Sequence, residues 1–260
     1  MTNDRLTEIY NQDQRINVVY PNIRREVLPE LVRHVNLLPG GSGFIIYTHL
    51  GDDAVEQTIR EQVAYFEGIG QDFEWKWFDT DSPPDLAERL AAYGFELEEP
   101  EAIMVLPLAE APPRLLAPVT IRVERLTDPA RFALPRQIEE AVWHSDHGPL
   151  MEELAGILRD SPEQISMLVA YVDDTPAACA WAFFPPNSRF VSLWGGSTLP
   201  EFRGRGLYTA LLAVRVQEAI QRGREFATVD AGPMSRPILE QQGFRVLGYS
   251  RPAVWRVGRR

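Results

Sequence analysis

Val191-Ser192-Leu193-Trp194-Gly195-Gly196-Ser197-Thr198-Leu199 runs straight into Pro200-Glu201-Phe202-Arg203-Gly204-Arg205-Gly206-Leu207-Tyr208. The first part is rich in β-formers and carries a glycine pair, which marks a bulge or the close approach of another backbone. Pro200 ends the pairing. Two glycines then alternate with two arginines, and an apolar-periodic run begins at Leu207. A Gly-rich turn that opens a helix leaves several backbone N–H groups without partners. With the helix dipole they make an anion site suited to a pyrophosphate, and Arg203 and Arg205 add positive charge. The plainer reading is a left-handed turn entering an ordinary helix, with both arginines solvated. Position 209 is Thr, where a dinucleotide fingerprint needs a third Gly; the chain's only Lys is Lys76, so there is no Gly-Lys-Ser/Thr loop either.

The chain has 260 residues, enough for two small domains or one large one, and its 45% hydrophobic content supports real cores. No run of about 18 apolar residues is present, so no membrane span is expected. The start, Met1-Thr2-Asn3-Asp4-Arg5, is polar and acidic and shows no signal peptide, which points to a cytoplasmic protein. Cys179 is the single cysteine and sits in an apolar, strand-like run as a small core residue. A disulfide framework and a multi-Cys metal site are excluded. Of the net charge of −11, residues 1–117 carry −12, from nine basic and 21 acidic side chains, and residues 118–260 carry +1. The acidic half argues against nucleic acid as a partner.

Taken in order, Val27-Leu28, Leu31-Val32 and Val35 have helical spacing, and Leu38-Pro39-Gly40-Gly41-Ser42-Gly43 is a turn cluster. Phe44–Thr48 reads as a buried strand. Val55, Ile59, Val63 and Phe66 form a helix stripe, and Phe73–Phe78 alternates as a strand does. A short helix ends at Gly94-Phe95, and Ile103–Leu108 is a further strand. The Pro-rich stretch Ala111–Pro118 looks like a linker and marks the expected domain boundary, giving domains 1–115 and 119–260. Beyond it come a strand at Val119–Val123 and helices over Ile138–Trp143 and around Leu150–Leu158. Strands at Met167–Val172 and Ala177–Phe184 are joined by the turn Asp173-Asp174-Thr175-Pro176. The helix from Leu207 runs to Gly223, a strand follows at Phe226–Asp230, and Ser235 and Pro237 open a helix that stops at Gly243.

Pro200-x-x-Arg203-Gly204-Arg205-Gly206-Leu207, followed by Leu211-Leu212, resembles motif A of the GNAT acyltransferases, an Arg/Gln-x-x-Gly-x-Gly/Ala pattern. The next position departs from it, since Tyr208 stands where a small residue is usual. Gly232–Phe244, with its Gly-Phe ending, is similar to the family's next block. The two halves also repeat: each has strand, helix, strand and a short helix ending in Gly-Phe, at Gly94-Phe95 and Gly243-Phe244. The N-terminal half therefore resembles a degenerate GNAT domain. Its counterpart of the phosphate loop, His49-Leu50-Gly51-Asp52-Asp53, carries two carboxylates that would repel a pyrophosphate. The implied fold is α/β (α+β): two GNAT-like domains, each a mixed, mostly antiparallel central sheet flanked by helices.

The resemblance implies transfer of an acetyl group from acetyl-CoA to a primary amine of a small molecule or peptide, by a monomer or homodimer. Main-chain groups of Ser197, Thr198 and Leu199 would hold the pantetheine arm. Amides of Arg203, Gly204, Arg205, Gly206, Leu207 and Tyr208 would cradle the pyrophosphate. The chemistry needs a base for the ammonium and an acid for the leaving thiolate. The position of the family's frequent acidic Tyr is Leu239, the frequent Asn is Gly232, and no carboxylate lies in Val191–Leu199. Asp230 is a candidate base or a cap. Tyr208 is a candidate acid or packs on its helix. Ser235 either bonds the cofactor or caps a helix. His144, Asp146 and His147 are placed for acceptor binding, and no metal is expected. Trp143, Trp181 and Trp194 read as core. Two alternatives stay open: a non-catalytic acyl-CoA sensor, or a scaffold whose acidic half binds a basic partner.

Overall fold

The structure is a computed structural model and describes residues 2–258; Met1, Arg259 and Arg260, at the ends of the expected domains, lie outside these. In chain order the elements are α1 (Asn3–Tyr10), β1 (Ile23–Val27), β2 (Leu31–Asn36), β3 (Gly43–Thr48), α2 (Val55–Gly68), β4 (Phe73–Phe78), α3 (Leu86–Ala92), β5 (Glu96–Leu97) and β6 (Glu101–Pro107). Then follow α4 (Pro113–Leu116), β7 (Val123–Leu126), α5 (Ala133–Trp143), α6 (Gly148–Asp160), β8 (Ile165–Val172), β9 (Thr175–Phe183), β10 (Phe190–Thr198), α7 (Leu207–Gln221), β11 (Phe226–Ala231), α8 (Arg236–Gln241) and β12 (Arg245–Trp255). Among the described residues no helix is long and apolar enough to cross a membrane.

The chain forms two compact units. The first holds the residues up to Met104, Asp230–Pro237 and those from Val246 on; the second holds Val105–Val229 and Ile238–Arg245. In the first, β1, β2 and β3 are antiparallel neighbours, β3 is parallel to β4, and β4 is antiparallel to β12, which also pairs β5. The core is built from Ile45, Ile59, Phe66, Trp75, Leu86 and Leu90. In the second, β11 is parallel to β10, and β9, β8 and β7 follow antiparallel. Each unit is thus a mixed, mostly antiparallel sheet with helices packed on it. The repeat extends to the turns: Gly94 and Gly243 both have positive φ, and the amides of Phe95 and Phe244 each bond back to a leucine carbonyl, Leu90 and Leu239. A left-handed residue is what lets a helix end in this way, and glycine adopts it without strain.

Two sequence expectations need correction. Residues 27–35 are not helical: β1 and β2 make a hairpin there, turned at Pro29-Glu30, with the Leu28 amide on the Leu31 carbonyl at 3.0 Å. All of β2 is buried. A strand buried on both faces shows no alternation, so its apolar spacing imitates a helix. The stretch 111–118 is not a loose linker. Leu115 is fully buried, and Gln217 of α7 donates to the carbonyls of Leu115 and Ala117. The compact units are not continuous in sequence, because the last strands are exchanged. Residues 250–255 of β12 pair with β4, while β6 lies beside β11 and the Leu108 amide bonds the Glu225 carbonyl.

Candidate functional site

The turn after β10 has the exposed amides that its sequence demands. Pro200–Phe202 makes one tight 3-10 turn, in which the Phe202 and Arg203 amides bond the carbonyls of Leu199 and Pro200. The N–H groups of Gly204, Arg205, Gly206, Leu207, Tyr208 and Thr209 have no acceptor among the described residues; the first return bond is from Ala210 to Gly206. Gly204 and Gly206 both take left-handed φ values, +75° and +80°. No side chain caps α7, and its first turn carries no acid. Six consecutive free donors stand at the positive end of a 15-residue helix. One expected donor drops out: the Arg203 amide is already bonded, and its guanidinium folds back onto the Thr198 carbonyl at 3.3 Å.

Upstream, β10 is bulged. Trp194 pairs Trp181 and Ser197 pairs Cys179, so Gly195 and Gly196 stand opposite the single residue Ala180. Gly195 has φ +59°, and a Cβ there would come within 1.7 Å of the Trp181 ring. A Cβ on Gly196 would strike the Tyr208 ring at 2.6 Å. Arg215 of α7 fastens the bulge: it is buried, and its Nη1 donates to the carbonyls of Trp181 (3.3 Å) and Trp194 (3.2 Å). Burial pulls its pKa down to about 10. Parallel pairing of β10 with β11 covers only Phe190–Ser192. Beyond it, β10 runs on to Thr198 with β9 on one side, leaving alternate main-chain groups on the other. Arg215→Met, which keeps the volume, is expected to cost only about 1 kcal/mol, because the lost hydrogen bonds are offset by relief of a buried charge. Urea denaturation checks this, and hydrogen exchange should show the Gly195 and Gly196 amides less protected.

The other candidates scatter. Ser197 and Thr198 pair β9 through Cys179 and Ala178, and the Leu199 amide bonds the Ala177 carbonyl, so part of this main chain is already used. Asp230 accepts from Lys76 at 2.6 Å and belongs to the first unit, as does Ser235. That carboxylate is held in an ion pair. The Ser235 hydroxyl donates to the Gly232 carbonyl and closes a turn. Tyr208 packs against the bulge, with its phenol pKa raised by burial. His144 is the left-handed, exposed end of α5, and Asp146 holds the Gly148 amide and Arg136. Trp143 and Trp194 are about half exposed rather than core, while Trp181 is buried. Among the described residues no three His, Cys, Asp or Glu side chains converge as metal ligands.

The sequence reading passed over Glu139. It lies on α5, almost fully buried, and receives the Cys179 thiol at 3.3 Å. His147 Nε2 is 3.7 Å away, and burial raises its carboxyl pKa against the opposing effect of the Ser197, Cys179, His147 and Trp143 side chains beside it. Its signal was available: Pro135, Ile138, Glu139 and Val142 fall at i, i+3, i+4 and i+7, which sets a carboxylate in the stripe that faces the sheet.

Residues 131–244 match the model of the Acetyltransferase (GNAT) family. Acyl transfer is that family's chemistry. Solved structures similar to the chain over most of its length share its fold. They include a GCN5-related N-acetyltransferase from Kribbella flavida, with a TM-score of 0.70 and 14% identity over 96% of this chain and 94% of that one. A GCN5-related N-acetyltransferase from Sphaerobacter thermophilus gives 0.60 and 13% over 88% and 81%. A tandem GNAT protein from the clavulanic acid biosynthesis pathway gives 0.57 and 13% over 94% and 86%. No curated protein matches the chain significantly.

Proposed function

We propose that the C-terminal half, residues 119–260, is an N-acetyltransferase that takes an acetyl group from acetyl-CoA and gives it to a primary amine of a small molecule or peptide. The N-terminal half, 1–115, is a degenerate copy that takes no cofactor. The observation that carries this reading is the run of free amides from Gly204 to Thr209 inside the segment that matches the GNAT family. The cradle they form fits a diphosphate: it is open at Gly204, flanked by Arg203 and Arg205, and free of carboxylates apart from Glu201, which is exposed. Alternate main-chain groups of Leu193–Thr198 would hold the pantetheine arm, and the thioester bound there supplies the activated acetyl group. The bulge, pinned by Arg215, fixes the direction of those groups before any ligand arrives, so little ordering remains to be done on binding.

Calorimetry with acetyl-CoA, followed by thiol release with primary amines, tests the reading. One site per chain and amine-dependent thiol release are expected; no binding would overturn it. Binding without release for any amine would favour the acyl-CoA sensor, the reading that the buried, apolar Leu239 supports. Changing Asp52 and Asp53 together to Ala should leave the stoichiometry at one per chain. Asp52 pairs with Arg89 in front of α2, and Glu56 adds a second carboxylate to that helix start. Loss of all binding in the double variant would show that the first half holds the ligand.

A further inference from the structure

The α5 side of the second unit's sheet holds a titratable chain that the cofactor turn does not use. Ser197 lies on β10 just past the bulge. Its hydroxyl takes the Trp143 indole N–H at 2.9 Å and lies beside the Glu139 carboxylate, whose charged form it favours. Glu139 Oε2 then faces His147 Nε2 at 3.7 Å. The three differ in exposure: Ser197 is 3% accessible, the Glu139 side chain 3%, and the His147 side chain 17%. Among the described residues no Lys or Arg pairs with Glu139. Burying a carboxylate without a cation costs several kcal/mol unless hydrogen bonds or a proton neutralise it. Here the neutralising groups are a hydroxyl on the inner side and an imidazole on the outer side. The Ser145 carbonyl, 3.1 Å from His147 Nδ1, assigns the ring proton to Nδ1 and leaves Nε2 to accept from Glu139.

We propose that Ser197, Glu139 and His147 form the exit by which acetyl transfer sheds its proton to solvent. The inference rests on the acetyltransferase reading above. The acceptor arrives as an ammonium. It first gives one proton to the relay, which frees the lone pair that forms the new C–N bond as the C–S bond of the thioester breaks. The thiolate then takes a second proton from the nitrogen, so the first is the one the relay carries. Ser197 Oγ accepts that proton while passing its own to Glu139. Glu139 hands it to His147 Nε2, and the imidazolium releases it to water. Glu139 never touches the acceptor, so it is a relay and positioning residue acting through Ser197. Of the other titratable groups near it, Cys179 on β9 is held as a thiol by burial, and Arg215 on α7 stays a cation with its pKa at about 10. Glu140 and Asp146 are held by Arg136.

Full-length wild type, Glu139→Gln, Glu139→Asp and His147→Gln are compared in three measurements. Acetyl-CoA affinity is read by calorimetry. Thiol release is followed from about pH 6 to 9, with whichever of phenethylamine, spermidine and lysine methyl ester is fastest. Infrared difference spectra between about pH 5 and pH 8 read the protonated-carboxyl band. Glu139→Gln should bind acetyl-CoA within about twofold of wild type, lose about tenfold or more in kcat with little change in KM, and lose the acid limb of its pH profile. It should also lack a carboxyl band that the wild type shows and that His147→Gln shifts in pH. Glu139→Asp should recover part of kcat. Wild-type kcat and profile in Glu139→Gln, or spectra identical to wild type, would overturn the relay while leaving the binding reading intact. Wild-type protein that binds no acetyl-CoA would instead bring down the reading beneath it. If no amine is turned over, the spectra alone decide.

Discussion

Gly206→Glu should raise the Kd for acetyl-CoA at least about 100-fold, or about 2.7 kcal/mol. Two effects add. Gly206 sits at φ +80°, and forcing an L-residue into that region costs about 1–2 kcal/mol. The larger effect is charge: a carboxylate about 4 Å from a diphosphate is repelled by about 4 kcal/mol at the effective dielectric of a protein surface. Gly206→Ala separates them, because it keeps the strain and omits the charge. The added Cβ meets only Ile121 Cδ1, at 3.8 Å. Alanine should therefore weaken binding by about tenfold or less. Calorimetry on both variants, with thermal melts to confirm folding, makes the measurement. Unchanged affinity in the Glu variant would mean that the diphosphate lies elsewhere, and the acetyl-CoA assignment would fail with it.

What made that turn legible was its local grammar. Pro200, two glycines that must be left-handed and an apolar helix pattern at Leu207 act within a few residues of one another, and no tertiary contact is needed to read them. The hairpin Asp173-Asp174 and the paired Gly-Phe helix ends were readable for the same reason. Glu139 was not, although its stripe position hinted at burial. Its meaning comes from Cys179, Ser197 and His147, which arrive from β9, β10 and the loop after α5. Strand exchange was equally hidden. That β4 would take β12 as its neighbour depends on which strand reaches it, and strand propensity says nothing about partners. The misreading of β2 shows a third limit, since a fully buried strand carries no period of its own. Asp230 looked free because a sequence does not reveal that the chain's single lysine sits beside it.

That lysine should be costly to remove from the first unit. Lys76 on β4 is buried and donates to Asp230 at 2.6 Å and to Glu101 at 2.8 Å. Burial works against its charge, but the carboxylates of Asp230, Glu101 and Glu74 outweigh it and raise the ammonium pKa. A cation whose folded pKa is raised contributes its stabilisation at all pH values below the unfolded one and loses it only in strong alkali. It is therefore in full force at neutral pH. Lys76→Ala leaves partly buried carboxylates facing one another without a counter-charge, and breaking a buried ion pair on one side costs about 3–5 kcal/mol. Lys76→Met restores the packing but not the charge, so it should recover less than half of that loss. The deficit should also depend on pH. Burial raises the Glu74 carboxyl pKa and Lys76 opposes it. Without the lysine, the folded state holds the Glu74 proton more tightly still, so acidification from about pH 7 to 5 should narrow the gap to wild type. Urea unfolding of the two variants across that range tests both statements. A loss below about 1 kcal/mol, or a gap that widens on acidification, would show that water rather than Lys76 compensates these carboxylates.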